Sequence, residues 1–335
     1  YRYSWVRDSY FVVSALNRLG ATGTMERYLQ YIGNIIADSK GRPFQPVYGI
    51  HRNADLEEKI APDLAGYNDM GPVRIGNSAY RETQNDVYGS AILACTQAFF
   101  DQRLHRPADR NVFADLERLG EEAVARFNQP DADIWHRNEK EQVHTFSSVM
   151  CWAACDRLAA IAKELKLKAK EDLWRANAER IREEVISNAF NTELNTFTST
   201  WNGNSVDASL LLLGELHFLK PDDPRFAGTV ARIEKQLLRG DFLLRYEGED
   251  KEGIPETALL VCTFWWILAL TTIGKTREAR ACFENILSRR NHLGLLSADV
   301  SRSDRVLWGN FPQTYSMVGL IQCAIRLSRP WENAF

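Results

Sequence analysis

The chain has no excess of positive charge. Its 41 lysines and arginines are matched by 44 aspartates and glutamates, for a net charge of −3 over 335 residues. A nucleic-acid partner would call for the opposite balance, so none is expected. No long apolar run is present either. The longest, Ala258–Leu270, falls short of the roughly 20 residues of a membrane span, and no membrane partner is expected. No signal peptide is visible in this sequence, nor a glycine-rich phosphate loop, nor a Ser-His-Asp signature with a nucleophile elbow. His51, His136, His144 and His292 show no tight spacing with Cys or a carboxylate, so no metal site and no cofactor are expected. Cys-x-x-Cys pairs are absent as well. What is there is 45% hydrophobic and 25% charged residues, the proportions of a globular protein and not of a disordered one.

The six cysteines are Cys95, Cys151, Cys155, Cys262, Cys282 and Cys323, most of them inside apolar stretches. Free, mostly buried thiols are expected, which fits a reducing compartment and a cytoplasmic protein. The chain opens at Tyr1 with no Met, inside what reads as the middle of a motif. It is therefore expected to be an excised piece of a longer protein, so that its targeting signals are incompletely represented.

The hydrophobic period is helical throughout. Leu173, Trp174, Ala178, Ile181 and Val185 recur at three- and four-residue steps, as do Phe146, Val149, Met150, Ala153 and Leu158. No convincing alternating strand is present. The pattern predicts eleven helices, over 6–20, 23–38, 82–104, 110–128, 144–165, 168–189, 205–218, 225–239, 256–273, 276–290 and 313–328. Short turns alternate with long loops at 39–81, 129–143, 190–204, 240–255 and 291–312. If the helices run up and down in hairpins, every second loop emerges at the same end. The expectation is an all-α (α/α)6 toroid, a single domain over 1–335 whose long loops wall a pocket on one face. One helix of twelve is missing, which fits truncation before Tyr1.

The long loops are rich in aromatic and polar groups: Tyr1, Tyr3, Trp5, Arg7 and Asp8 at the start, then Gln84, Asp86 and Tyr88, and later TSTWNGNS and RYEGEDKEGIPE. Aromatic faces stack on the apolar faces of sugars, and planar polar groups bond their hydroxyls, so the expected partner is a small-molecule sugar or glucoside. The bland alternative is that the rings plug the toroid axis and the polar groups cap helices.

Seven segments carry a family resemblance: YRYSWVRDSYF, GPVRIGN, Gln84–Gly89, SSVMCWAACDRL, VDASLLLL, LLVCTFWW and WGNFPQTYS. Together, in order and nearly end to end, they resemble glycoside hydrolase family 15, the family of glucoamylases, glucodextranases and certain trehalases. The resemblance implies an (α/α)6 catalytic domain and, in bacterial and archaeal members, an upstream β-sandwich domain. It implies that Arg7 and Asp8 bind the terminal glucose hydroxyls and that Tyr1 faces the developing oxocarbenium ion. Trp135 matches the tryptophan before the catalytic acid, and Arg245 another glucose-binding arginine. Trp5 and Gln313, which opens the helix after the last long loop, are expected in the same cavity.

The catalytic pair departs from the family. An inverting glycosidase needs a protonated carboxyl at the leaving oxygen and an ionised one, roughly 6.5–9.5 Å away, to activate water. The family's acid follows the loop tryptophan, and here that position is His136. The family's base falls on Ala298 in Leu296-Ser297-Ala298-Asp299. Glu139 or Glu141 are candidate substitutes for the acid and Asp299 for the base, while an imidazolium at His136 could donate a proton. Glu247, Glu249 and Glu256 are assigned to holding substrate or loop structure. Three readings stay open: an α-glucoside-processing enzyme with a non-standard acid/base pair, a catalytically inactive glucoside-binding or regulatory domain, and a non-hydrolytic enzyme on the same scaffold.

Overall fold

In the computed structural model of the protein, residues 2–39, 42–135, 142–247 and 256–328 are described. Among the described residues there are eleven α-helices. They are α1 Val6–Arg18, α2 Thr22–Asp38, α3 Asp86–Phe100, α4 Arg110–Arg126, α5 Thr145–Glu164, α6 Lys168–Ala189, α7 Leu212–Glu215, α8 Pro224–Leu237, α9 Leu260–Thr272, α10 Thr276–Leu287 and α11 Thr314–Ser328. No described helix is long and apolar enough to cross a membrane. The chain groups into two compact units, Tyr1–Gln142 with Met150–Ala178, and Val143–Val149 with Glu179–Phe335.

The helix starts follow from local chemistry. Asp109 caps α4 by accepting the N–H groups of Asn111 and Val112, and Asp223 caps α8 from Arg225 N–H ahead of a proline in its first turn. Two expectations change. The helix expected over 205–218 is a 3-10 turn at Ala208–Leu211 followed by the single turn of α7. Gly214 lies against the Phe226 ring, and His217 takes a left-handed backbone (φ 62°) that ends the helix. Strands are also present where none was expected, as ladders of two or three residues inside the long loops.

In the first unit β1 (Tyr3–Trp5) pairs antiparallel with β2 (Val47–Gly49), Trp5 opposite Val47. A second hairpin joins β3 (Lys59–Ile60) to β4 (Arg74–Ile75). Behind these, α1 packs on α2 and α3, and α3 on α4. The approach of α3 to the 150–164 part of α5 is close. A Cβ at Gly89 would stand 2.1 Å from the Met150 carbonyl oxygen.

In the second unit β5 (Phe190–Asn191) pairs with β6 (Thr196–Phe197), and β7 (Leu238–Arg239) with β8 (Phe242–Leu243). The three-stranded sheet runs β11 (Leu307–Trp308), β10 (Asp299–Ser301), β9 (Thr257–Leu259), with Asp299 opposite both Leu259 and Trp308. At the centre of the unit, every residue of α9 except Thr271 is buried. Helices α10 and α11, α7 and the 208–211 turn all pack on it. The Arg326 guanidinium of α11 meets Glu215 of α7 at 2.9 Å, both buried.

All six cysteines are free; Cys282 is half-buried and the others are buried, as expected. Burial pushes the Cys95 thiol up to about 12.

Two glycines make opposite predictions. Gly89→Ala forces the methyl into backbone and should destabilise by on the order of 2–4 kcal/mol. Gly33→Ala, inside α2 with open space around its Cβ position, should stabilise by about 0.5–1 kcal/mol. Thermal and denaturant midpoints of the two variants check both signs.

Candidate functional site

Arg7 and Asp8 occupy the first turn of α1, directly after β1. The Arg7 side chain is 9% exposed and its Nε donates to Asp86 Oδ2 at 2.8 Å. Its Nη2 donates to Gln84 Oε1. Gln84, Asn85 and Asp86 are almost wholly buried at the start of α3. A guanidinium taken out of water needs both a counter-charge and hydrogen bonds, and this arrangement supplies them. The next layer fixes the Trp135 segment: Asn85 N–H donates to Asp131 Oδ2 at 2.7 Å and Ala132 N–H to the Thr83 carbonyl at 2.9 Å. Trp135 itself is buried, its N–H bonded to Asp133 Oδ1 at 3.0 Å.

Asp8 is half-buried and carries an unusual proton affinity. Burial pushes its carboxyl up from the ordinary carboxylate range to about 7; the Arg7 charge opposes that rise and the Asp86 charge adds to it. Trp5 is half-buried and packs, with Tyr3 and Tyr80, on the cluster of Val47, Leu56 and Ala79. Tyr3 in turn accepts the Gly76 N–H at 2.6 Å through its hydroxyl.

The second unit brings together Arg245, Ala298, Asp299 and their neighbours. The Arg245 carbonyl accepts Ala208 N–H at 2.8 Å, and its guanidinium lies over the Tyr246 ring, 5.9 Å from the centroid. Asp299, on β10, accepts the Thr257 hydroxyl at 3.3 Å from the facing strand. Burial raises the Asp299 carboxyl above its usual range, opposed by the Arg245 charge and the Thr257 bond. Ala298 is 7% exposed and its backbone is bonded on both sides, N–H to the Asn310 carbonyl at 3.0 Å and carbonyl to Leu260 N–H at 2.9 Å. Gly309 (φ 76°) leaves room for both: a Cβ there would stand 3.2 Å from Ala298 Cβ and 3.4 Å from Asp299 Oδ2. Gln313 is half-buried, donates its N–H to Leu296 and accepts Met317 N–H, so it caps α11 with its backbone.

Among the expected site residues, Tyr1, His136, Glu139, Glu141 and Glu249 lie outside the described residues. Glu247 is exposed and accepts Gln236 Nε2 at 2.9 Å. No three His, Cys, Asp or Glu side chains converge on an ion position among the described residues. Gln84 and Asp86, the groups that hold Arg7, were visible in the sequence only as a motif. Their signal was the run of polar residues directly ahead of an apolar helix.

The Arg7 pair yields two expectations. Asp86→Ala leaves a buried guanidinium without its counter-ion and should cost on the order of 3–5 kcal/mol, read from denaturant midpoints. Asp8 binds its proton more tightly in the folded state than unfolded, where its pKa is near 3.8. The unfolded chain therefore releases the proton first as pH rises, and the stability gained from Asp8 is progressively lost between about pH 4 and pH 7. Wild type should lose thermal stability relative to Asp8→Asn across that window, and the gap should stay constant above it.

Residues 1–325 match the family model described as Glycosyl hydrolases family 15. The chain is 33% identical to a trehalase of Mycobacterium tuberculosis, covering 100% of this chain and 49% of that protein. It is also 33% identical to a trehalase of Thermoplasma volcanium, covering 98% and 52%. The chain thus spans about half the length of the curated relatives it matches. Among solved structures, a wild-type glycosidase superposes with a TM-score of 0.76 at 17% identity, over 97% of this chain and 88% of that one. A glucoamylase from Saccharomycopsis fibuligera superposes with a TM-score of 0.73 at 12% identity, over 98% and 86%. At those identities the likeness is one of fold, the all-α (α/α)6 class that the helical period predicted. The family match over almost the full length, and trehalase relatives a third identical across it, make this chain a member of glycosyl hydrolases family 15.

Proposed function

We propose that this chain recognises the glucosyl unit of an α-glucoside, with trehalose the first candidate, and that ordinary inverting hydrolysis by it is very slow or absent. The observation that carries the reading is the contrast between the two groups of residues. Arg7 is locked between Asp86 and Gln84 beside Asp8, a built polar corner of the kind that fixes sugar hydroxyls. The position where the family resemblance puts the general base holds the methyl group of Ala298. The acid position, His136, offers an imidazole in place of a carboxyl. One neighbour in fold is a glycosidase variant in complex with glucose, and the relatives quoted above are trehalases, which supports glucose and trehalose as the first ligands to try.

A second reading rests on Asp299. Its carboxylate and the Ala298 methyl both border Gly309. Asp299 is thus a candidate for the water-activating role from the neighbouring strand position. Its raised proton affinity would put the onset of activity at higher pH than for an ordinary carboxylate. Tyr1, Trp5 and Trp135, and separately Arg245 and Gln313 of the second unit, are further proposed sugar-binding residues, with Glu139 and Glu141 as further candidates for the acid.

Asp8→Ala removes bonds to a sugar hydroxyl and should weaken glucose binding by on the order of 1–3 kcal/mol in calorimetry; equal affinity would remove Asp8 from the site. General acid and base groups each contribute a factor of about 10² to 10⁴. The double change His136→Glu with Ala298→Glu should therefore raise trehalose or maltose turnover well above wild type. Robust wild-type hydrolysis abolished by Asp299→Asn would establish the second reading. Robust hydrolysis that survives replacing Glu139, Glu141 and Asp299 would place the catalytic groups elsewhere.

A further inference from the structure

The first unit contains a cavity of about 880 Å³ lined by none of Trp5, Arg7, Asp8 or Trp135. Its inner wall is aromatic: Phe44, Tyr48 and Tyr88 are each buried, with Phe44 5.9 Å from the Tyr48 ring and 6.4 Å from the Tyr88 ring. Its outer wall is cationic, with Arg42, Arg52, Arg81 and Arg126 against two acids, Asp38 and Glu82, among the described lining residues. In a chain of net charge −3 that is a local reversal of sign.

The arginines are not equally engaged. Arg52 meets Asp38 at 2.7 Å, and Arg126 meets Glu122 at 2.8 Å while lying over the Tyr88 ring. Arg81 bonds the Tyr80 hydroxyl at 2.7 Å, and its guanidinium stacks 5.0 Å from that ring's centroid. Arg42 and Arg81 meet no carboxylate among the described residues. Two guanidinium forks without a counter-ion among the described residues, beside a set of aromatic faces, match a particular ligand chemistry. The forks suit a carboxylate or phosphoryl group, bound bidentately. The rings suit the apolar face of a pyranose.

We propose that this cavity is a second ligand site that takes an anionic sugar, its carboxylate or phosphoryl group held by Arg42 and Arg81 and its ring laid against the aromatic wall. Gln84 links the two sites: it lines the cavity, donates to Glu82 at 2.9 Å, and accepts from Arg7.

Calorimetry on the chain with glucose 6-phosphate, glucuronate and neutral glucose tests this, and the first two probes distinguish a phosphoryl from a carboxylate ligand. At least one anionic probe should bind, more weakly as salt rises. Both arginines are exposed, so the double variant Arg42→Ala, Arg81→Ala should keep the wild-type melting temperature. It should lose about tenfold or more in affinity for the anionic probe, one strong charge-assisted bond being worth that factor. Asp8→Ala should leave that affinity unchanged, whatever it does to glucose, so failure here and failure of the proposed glucosyl site are told apart. The proposal is overturned if neither anionic sugar binds more tightly than glucose. It is equally overturned if the double variant binds as wild type does, or if inorganic phosphate alone binds as tightly as glucose 6-phosphate.

Discussion

Removing a guanidinium from water carries a penalty of several kcal/mol unless a counter-charge and hydrogen bonds replace its hydration, and Arg7 is a guanidinium so removed. Its replacements come from Gln84 and Asp86, 77 and 79 residues further along the chain. That one requirement orders much of its surroundings. It ties the first turn of α1 to the start of α3. Asn85, between the two partners, then ties α3 to Asp131 and so to the segment ending in Trp135. Asp8 inherits its raised proton affinity from the same place, because the burial that suits the Arg7–Asp86 pair leaves the neighbouring carboxyl poorly solvated.

The Asp299 region is organised by backbone rather than by charge. Strands β9, β10 and β11 fix Ala298 and Asp299 through ladder bonds on both edges, so their positions follow from the main chain and not from side-chain pairing. A methyl group at 298 is compatible with that frame and leaves the ladder intact. The ladder does not depend on a carboxylate at that position, because its bonds come from the main chain.

Helix positions were legible because a 3.6-residue period persists over about four to six turns in α4, α6 and α8. The 205–218 stretch misled for an identifiable reason. VDASLLLLGELHFL has apolar residues at every helical register, so nothing in its pattern marks the close packing at Gly214 or the left-handed His217 that end α7. Strands of two or three residues are too short for alternation to register. Among the candidate residues of the two units, Arg7, Asp8, Arg245 and Asp299 were legible as residue types inside motifs. The partners of Arg7 were not, since a pairing across 79 residues leaves no trace in local spacing. Nor were the raised carboxyls of Asp8 and Asp299, which depend on burial that only the folded chain creates.

Helix α9 is apolar on every side, and its wrapping is divided in time as the chain is made. The 208–211 turn, α7 and β8 precede it, but α10 and α11 follow it, up to Ser328. A ribosome therefore releases the most water-averse segment of the protein before half of its cover has been synthesised. For that interval Leu260, Phe264, Trp265 and Leu268 have incomplete shelter, a situation that invites association between nascent chains. A stop codon or proteolytic cut ahead of α11 would make that transient exposure permanent. Loss of α11 should thus be felt first as insolubility and chaperone dependence, before any effect on ligand recognition could be measured.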